Sequence, residues 1–225
     1  MPLDLSRIQA LCFDVDGTLN NTDDQYAHKL AKWLHLLRRF FPNQDPLPFA
    51  RHVVMFTETP AQHFFGLPDR IGLDDKLNAL SDWLYRRGKQ PASFSIIPGI
   101  VGMLEALRHH YPMSIVTARG LLTTEMFLDQ YALRAYFQAV AAGQTCRHTK
   151  PYPDPVLWAA QKMGILPHNC LMIGDTVVDI RAGKSAGAQT VGVLCGFGTA
   201  GELHQAGADL ILEDTSQLTK ILQNN

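Results

Sequence analysis

The chain has 225 residues, a formal net charge of −1, 46% hydrophobic and 18% charged residues. These are globular values, with no basic excess to draw nucleic acid or a membrane surface, so neither is expected as a partner. Four scattered cysteines (Cys12, Cys146, Cys170, Cys195) form neither a zinc pattern nor a disulfide framework, which suits a reducing compartment.

The opening stretch, MPLDLSRIQALCF, carries an acidic Asp4 and no long apolar run, so no signal peptide is expected. No segment approaches the ~20 apolar residues of a membrane span. The reading is a soluble, cytoplasmic protein. In chain order, short apolar runs predict strands over residues 8–13 (IQALCF), 113–117 (MSIVT), 139–142 (AVAA), 170–173 (CLMI), 190–194 (TVGVL) and 210–212 (LIL). Such continuous apolar runs fit strands covered on both faces. Helices are predicted near residues 100–110, 121–131, 153–163, 178–186 and 201–206. Strand–helix alternation argues for a doubly wound parallel sheet, a Rossmann-like α/β core. Right-handed crossovers then bring the loops after the strands to one edge.

The rhythm breaks between Leu19 and Pro98. Leu30, Trp33, Leu34, Leu37 and Phe41 recur at helical spacing, as do Leu73, Leu77, Leu80 and Leu84. A small α-helical cap domain inserted over residues 20–97 is expected, with residues 1–19 and 98–225 forming the core. IIPGI (residues 96–100) reads as the return hinge. No internal repeat is evident.

Ligands of open α/β sheets bind beyond the carboxyl ends of the strands. There the sequence places Asp14 and Asp16 after the first strand, Thr117 after the second, Lys150 after the third, and Asp175 and Asp179 after the fourth. Clustered carboxylates repel unless a cation neutralises them, and a hard divalent ion such as Mg²⁺ suits oxygen donors. A lysine and a hydroxyl beside that ion suggest a phosphate-bearing substrate. Backbone N–H groups around Asp16, Gly17 and Ala118 are candidate phosphoryl donors. Taken singly, each residue has a plainer reading as a helix cap, a turn residue or a solvated lysine. Their joint placement favours chemistry.

DVDGT (residues 14–18), VT (116–117), KPYPDP (150–155) and GDTVVDI (174–180) together resemble the four motifs of the haloacid dehalogenase superfamily. The helical insert sits where that family carries a small cap. Residues 196–212 (GFGTAGELHQAGADLIL) resemble the C-terminal region of its phosphoglycolate phosphatase-like members. The resemblance implies Asp14 as nucleophile, forming an aspartyl phosphate, and Asp16 as the acid and base two residues on. It implies Mg²⁺ held by the Asp14 carboxylate, the Asp16 carbonyl and Asp175. It further implies phosphoryl contacts from Thr117, Ala118 and Lys150, and Asp179 acting on metal-bound water or Lys150. A phosphatase needs an acid at Asp16, whereas a dehalogenase does not.

The expected activity is therefore Mg²⁺-dependent hydrolysis of a small phosphorylated metabolite, a phosphoglycolate-like monoester first. A phosphosugar mutase, a pyrophosphatase and a phosphonatase are alternatives within the superfamily, and a phospho-receiver or regulatory binding module is one outside it. Asn21 replaces a customary carboxylate near the mouth of the site, which bears on specificity. Arg119, in TARG, is either a second cation beside Thr117 or the partner of a surface carboxylate. Arg51, His52 and His63, in the middle of the insert, are candidates for substrate recognition. The remaining histidines, including the adjacent His109 and His110, are read as surface or packing residues. Oligomeric state is not legible.

Overall fold

A computed structural model describes residues 3–21, 34, 46 and 94–223. Six short strands form one parallel sheet: β1 (Ala10–Phe13), β2 (Met113–Val116), β3 (Ala139–Ala141), β4 (Cys170–Gly174), β5 (Gln189–Val193) and β6 (Leu210–Leu212). Their spatial order is β3-β2-β1-β4-β5-β6. The chain steps outward from β1 through β2 to β3, then crosses to the other side of β1 for β4. The switch point thus lies between β1 and β4, where a doubly wound sheet opens its crevice. The expected fold class is the one observed.

Side chains alternate across the sheet, and the two faces differ in size. Leu11 and Phe13 of β1 and Leu171 and Ile173 of β4 join the larger core, with Leu104, Leu107 and Phe127. Ala10 and Cys12, with Cys170 and Met172, join a second core built with Ala141, Val156, Ala159, Ala160 and Ala182. Small residues on this second face let helices α3 (Asp154–Met163) and α4 (Val177–Ser185) pack close to the strands. Cys12 and Cys170 are buried there and free, acting as small hydrophobes as expected.

The other helices are α1 (Ile100–Leu107), α2 (Leu121–Gln130), α5 (Ala200–Ala206) and α6 (Leu218–Gln223). Two depart from expectation. Helix α1 ends at Leu107, so His109 and His110 stand exposed in the turn beyond it rather than on a helix. Helix α6 was not foreseen: its six residues are too few to display a period, and they form because Leu218 and Leu222 bury themselves against α1. Strand β5 starts one residue early, at Gln189. That amide accepts from the Asp4 N–H at 2.6 Å and donates to the Asp4 carbonyl at 2.8 Å, so a polar residue is satisfied inside the sheet.

The chain leaves the core at residues 19–21 and returns at 94–97, and the two crossings are paired. Asn20 and Ile96 form an antiparallel bridge, the Asn21 N–H donates to Ser95 O at 2.6 Å, and the Ile97 N–H donates to Leu19 O at 2.9 Å. Gly99, at φ 84°, then turns the chain into α1. The remainder of the expected cap over 20–97, with its apolar stripes and Arg51, His52 and His63, lies outside the described residues, apart from positions 34 and 46. Among the described residues, no helix is long and apolar enough to cross a membrane.

Candidate active site

Burial at the mouth of β1 and β4 dictates the chemistry of this edge. Asp14 is the first residue past β1, and its N–H continues the ladder to the Ile173 carbonyl at 2.9 Å. Its side chain therefore emerges at the switch point, and the residue is only 6% exposed. Asp175 follows β4 directly, and Asp179 sits in the first turn of α4; both are fully buried. Carboxylate oxygens of Asp14, Asp175 and Asp179 lie within 4.8 Å of one another.

Such a group is tolerable only with positive charge nearby. Lys150 supplies it from the loop after β3. Its Nζ donates to Asp14 Oδ1 at 2.6 Å and to Asp179 Oδ1 at 2.5 Å, and its side chain is almost wholly buried. The other oxygen of Asp179 accepts from Thr176 N at 3.0 Å and Thr176 Oγ1 at 2.6 Å. Asp175 Oδ2 accepts from the Phe197 N–H at 2.9 Å. Burial pushes the Asp14 carboxyl up to about 7; Lys150 opposes that rise, and the charges of Asp179 and Asp16 add to it. For Lys150, burial works against the charged form, but Asp14 and Asp179 outweigh it and hold the ammonium above its ordinary range.

Among the described residues, Lys150 faces this group of three carboxylates, and the donor set is all oxygen. That fits a hard divalent cation. Asp14 and Asp175 stand among the clustered carboxylates as expected. Asp179 joins them and touches Lys150. The Asp16 carboxylate is not part of the cluster; the contribution expected of Asp16 was its backbone carbonyl.

Thr117 is the first residue past β2, and its N–H bonds to Ala141 O at 2.9 Å. The residue is 4% exposed, while Ala118 next to it is exposed at the same sheet edge. The Thr117 hydroxyl accepts from the Arg119 N–H at 3.2 Å. One expectation is corrected: the Gly17 N–H is no phosphoryl donor, because it closes the DGTLN turn onto Asn20 O at 2.8 Å. Of the two readings of Arg119, a cation beside Thr117 or a partner for a surface carboxylate, the geometry favours the first: it pairs with the half-buried Asp16, which accepts from Nε at Oδ2, 2.9 Å away, and from Nη2 at Oδ1.

Sequence reasoning missed the glycines that shape this edge. Gly17 has φ +75°, and an added Cβ there would overlap the Asp175 carboxylate. The same holds for Gly196, and a Cβ on Gly174 would overlap Asp179. Gly196 stands in the loop after β5, on the same edge.

Residues 11–193 match the family model described as haloacid dehalogenase-like hydrolase. A pyrophosphatase PpaX from Bacillus velezensis is 30% identical over 220 residues, covering 96% of each chain. Among solved structures, a HAD family hydrolase from Deinococcus radiodurans R1 with bound phosphate and sodium is 25% identical. It covers 97% of this chain and 96% of its own, with a TM-score of 0.67. A predicted phosphoglycolate phosphatase from Haemophilus somnus 129pt shares the fold at 23% identity and a TM-score of 0.65, covering 97% and 99% of the two chains.

Proposed function

The chain belongs to the haloacid dehalogenase-like hydrolases, and on that premise we propose that it is a Mg²⁺-dependent phosphatase acting on a small phosphomonoester of phosphoglycolate type. The observation that carries this reading is the buried Lys150 ammonium bridging Asp14 and Asp179 at the switch point. It puts an anion-binding group beside a carboxylate that can attack phosphorus.

In the first step an Asp14 oxygen forms a bond to phosphorus as the ester P–O bond breaks, and Asp16 gives its proton to the leaving oxygen. In the second, water attacks the aspartyl phosphate, Asp16 takes the water's proton, and Asp14 and inorganic phosphate are released. Thr117, the Ala118 N–H and Lys150 hold the phosphoryl oxygens through both steps. Asp179, tied to Thr176, keeps Lys150 aimed at Asp14. Asp14, Asp175 and the carbonyl of Asp16 are the residues that would hold Mg²⁺, and the ion would offset repulsion between a negative nucleophile and a negative substrate. A cytoplasmic setting belongs to the same proposal, supported by the free, buried Cys12 and Cys170.

A second reading, hydrolysis of inorganic pyrophosphate, is favoured by the PpaX pyrophosphatases that match nearly the whole chain. Both readings use the same two aspartates. The test is phosphate release from phosphoglycolate, pyrophosphate and a panel of sugar and alkyl phosphates, with Mg²⁺ or EDTA, for the wild type and Asp14→Asn. Turnover that needs Mg²⁺ and vanishes in the variant supports the reading, and the ranking chooses between the substrates. Folded protein with no turnover on any member refutes it.

A further inference from the structure

Asp16 is gripped more firmly than a surface carboxylate needs. Arg119 donates from Nε to Oδ2 at 2.9 Å and from Nη2 to Oδ1, so the planar guanidinium engages both oxygens of one carboxylate. Asn20 Nδ2 adds a third donor to Oδ1 at 3.2 Å. The Arg119 side chain is 15% exposed and that of Asp16 is 30% exposed.

The parts of this clasp are themselves braced. The guanidinium lies over the Phe94 ring, with Cζ 5.1 Å from its centroid. Phe94 meets Phe127 edge-on at 5.8 Å, and its carbonyl accepts from the Tyr131 hydroxyl at 2.8 Å. Asn20 is fully buried, and its Oδ1 accepts from the Ser95 N–H at 3.0 Å. The Arg119 carbonyl accepts from Gly143 N–H at 2.9 Å, anchoring the loop after β2 to the loop after β3.

Partly exposed ion pairs add at most about 1 kcal/mol to stability, so the fold has little need of this arrangement. Proton transfer does need it. The transferring oxygen must sit within about 2.6–3.2 Å of its target, and small misplacements cost rate steeply. We infer that Arg119 is a positioning residue: its guanidinium fork, backed by Phe94 and Asn20, holds the Asp16 carboxylate where it can reach the leaving-group oxygen. This rests on the phosphatase reading. It assigns the fork a role that a lysine, with a single ammonium, cannot fill.

The experiment compares Arg119→Ala and Arg119→Lys with the wild type on three esters of falling leaving-group quality: 2,4-dinitrophenyl, p-nitrophenyl and an alkyl phosphate. The quantity read is kcat/KM, which reports the steps up to loss of the leaving group. Arg119→Ala should lose about 10–100-fold on the alkyl ester and far less on the dinitrophenyl ester, which leaves without protonation. Arg119→Lys should lose nearly as much as Ala on the alkyl ester while melting with the wild type. Added guanidinium ion should restore part of the Ala variant's alkyl activity.

Equal losses across the three esters, full activity in the lysine variant, or no loss at all would overturn the inference while leaving the phosphatase reading intact. A wild type that hydrolyses none of the esters would overturn both.

Discussion

Replacing Lys150 by methionine keeps the apolar stem of the side chain and deletes its charge. The side chains involved are 3% exposed for Lys150, 8% for Asp14 and 0% for Asp179. Removing one partner of a buried ion pair costs about 3–5 kcal/mol, because the other charge stays buried without compensation. Here two carboxylates are left. In a domain of this size each kcal/mol moves Tm by about 2–4 °C, so a fall of roughly 6–20 °C is expected at pH 8 in EDTA. The sign follows from linkage. Lys150 has a raised folded pKa, so its stabilisation is fully present below its ordinary 10.5 and is lost only above that. At pH 8 the whole loss should therefore show. At pH 5 the stranded Asp14 can take a proton, and the gap between wild type and variant should shrink. Calorimetric melts of Lys150→Met, Asp179→Asn and the double variant would measure this. The double variant should melt above the sum of the single losses, since each substitution removes a charge that the other leaves unpaired. A Tm change under about 2 °C at pH 8, corresponding to less than about 1 kcal/mol, would refute the claim that this lysine neutralises the site.

Four further outcomes are expected. Asp14 keeps its proton up to about 7, against an ordinary 3.8, so between those values the folded protein binds more protons than the unfolded chain. EDTA-treated protein should therefore lose stability as pH rises through that window. Mg²⁺ must displace the proton, so its apparent affinity by titration calorimetry should climb by up to about tenfold per pH unit and level off above about 7; a flat profile would sink the assignment. Gly174→Ala should cost about 1–3 kcal/mol and most of the activity, because the new methyl displaces Asp179. Gly102→Ala, on an open stretch of α1, should stabilise by up to about 1 kcal/mol. A Gly174→Ala protein with wild-type turnover would show that Asp179 can move without consequence.

The strands and the carboxylates were legible because each rests on a local signal. Runs such as CLMI can bury both faces, and polar residues directly after them must lie at the sheet edge. Helix α6 was not legible, since it exists only through Leu218 and Leu222 meeting α1. The partner of Arg119 was not legible for a related reason. An arginine three residues past a strand can reach several carboxylates, and Asp16 is selected by the spacing between β1 and β2 together with the Phe94 ring. Nor could the need for glycine at Gly196 be read, because it arises from Asp175, on the neighbouring strand's loop. What stayed hidden was contact across the sheet edge; what was readable was order along the chain.

The site also runs against the stability of the fold that carries it. Asp14, Asp175, Asp179 and Lys150 are all buried, and well-packed apolar residues of similar volume in place of such a buried ionic group are often neutral or more stable. The upward push on Asp14 measures that burden: burial disfavours its charge more than Lys150 restores it. The apolar layers behind the site answer this. Phe13 immediately precedes Asp14 and Ile173 lies two residues before Asp175, both fully buried in the larger core. They hold the two strand ends rigidly enough that carboxylates which repel each other cannot drift apart. A cation would then find its oxygen donors already assembled, and would offset the repulsion between them. On this argument, substitutions that loosen Phe13 or Ile173 should weaken cation binding before they unfold the protein.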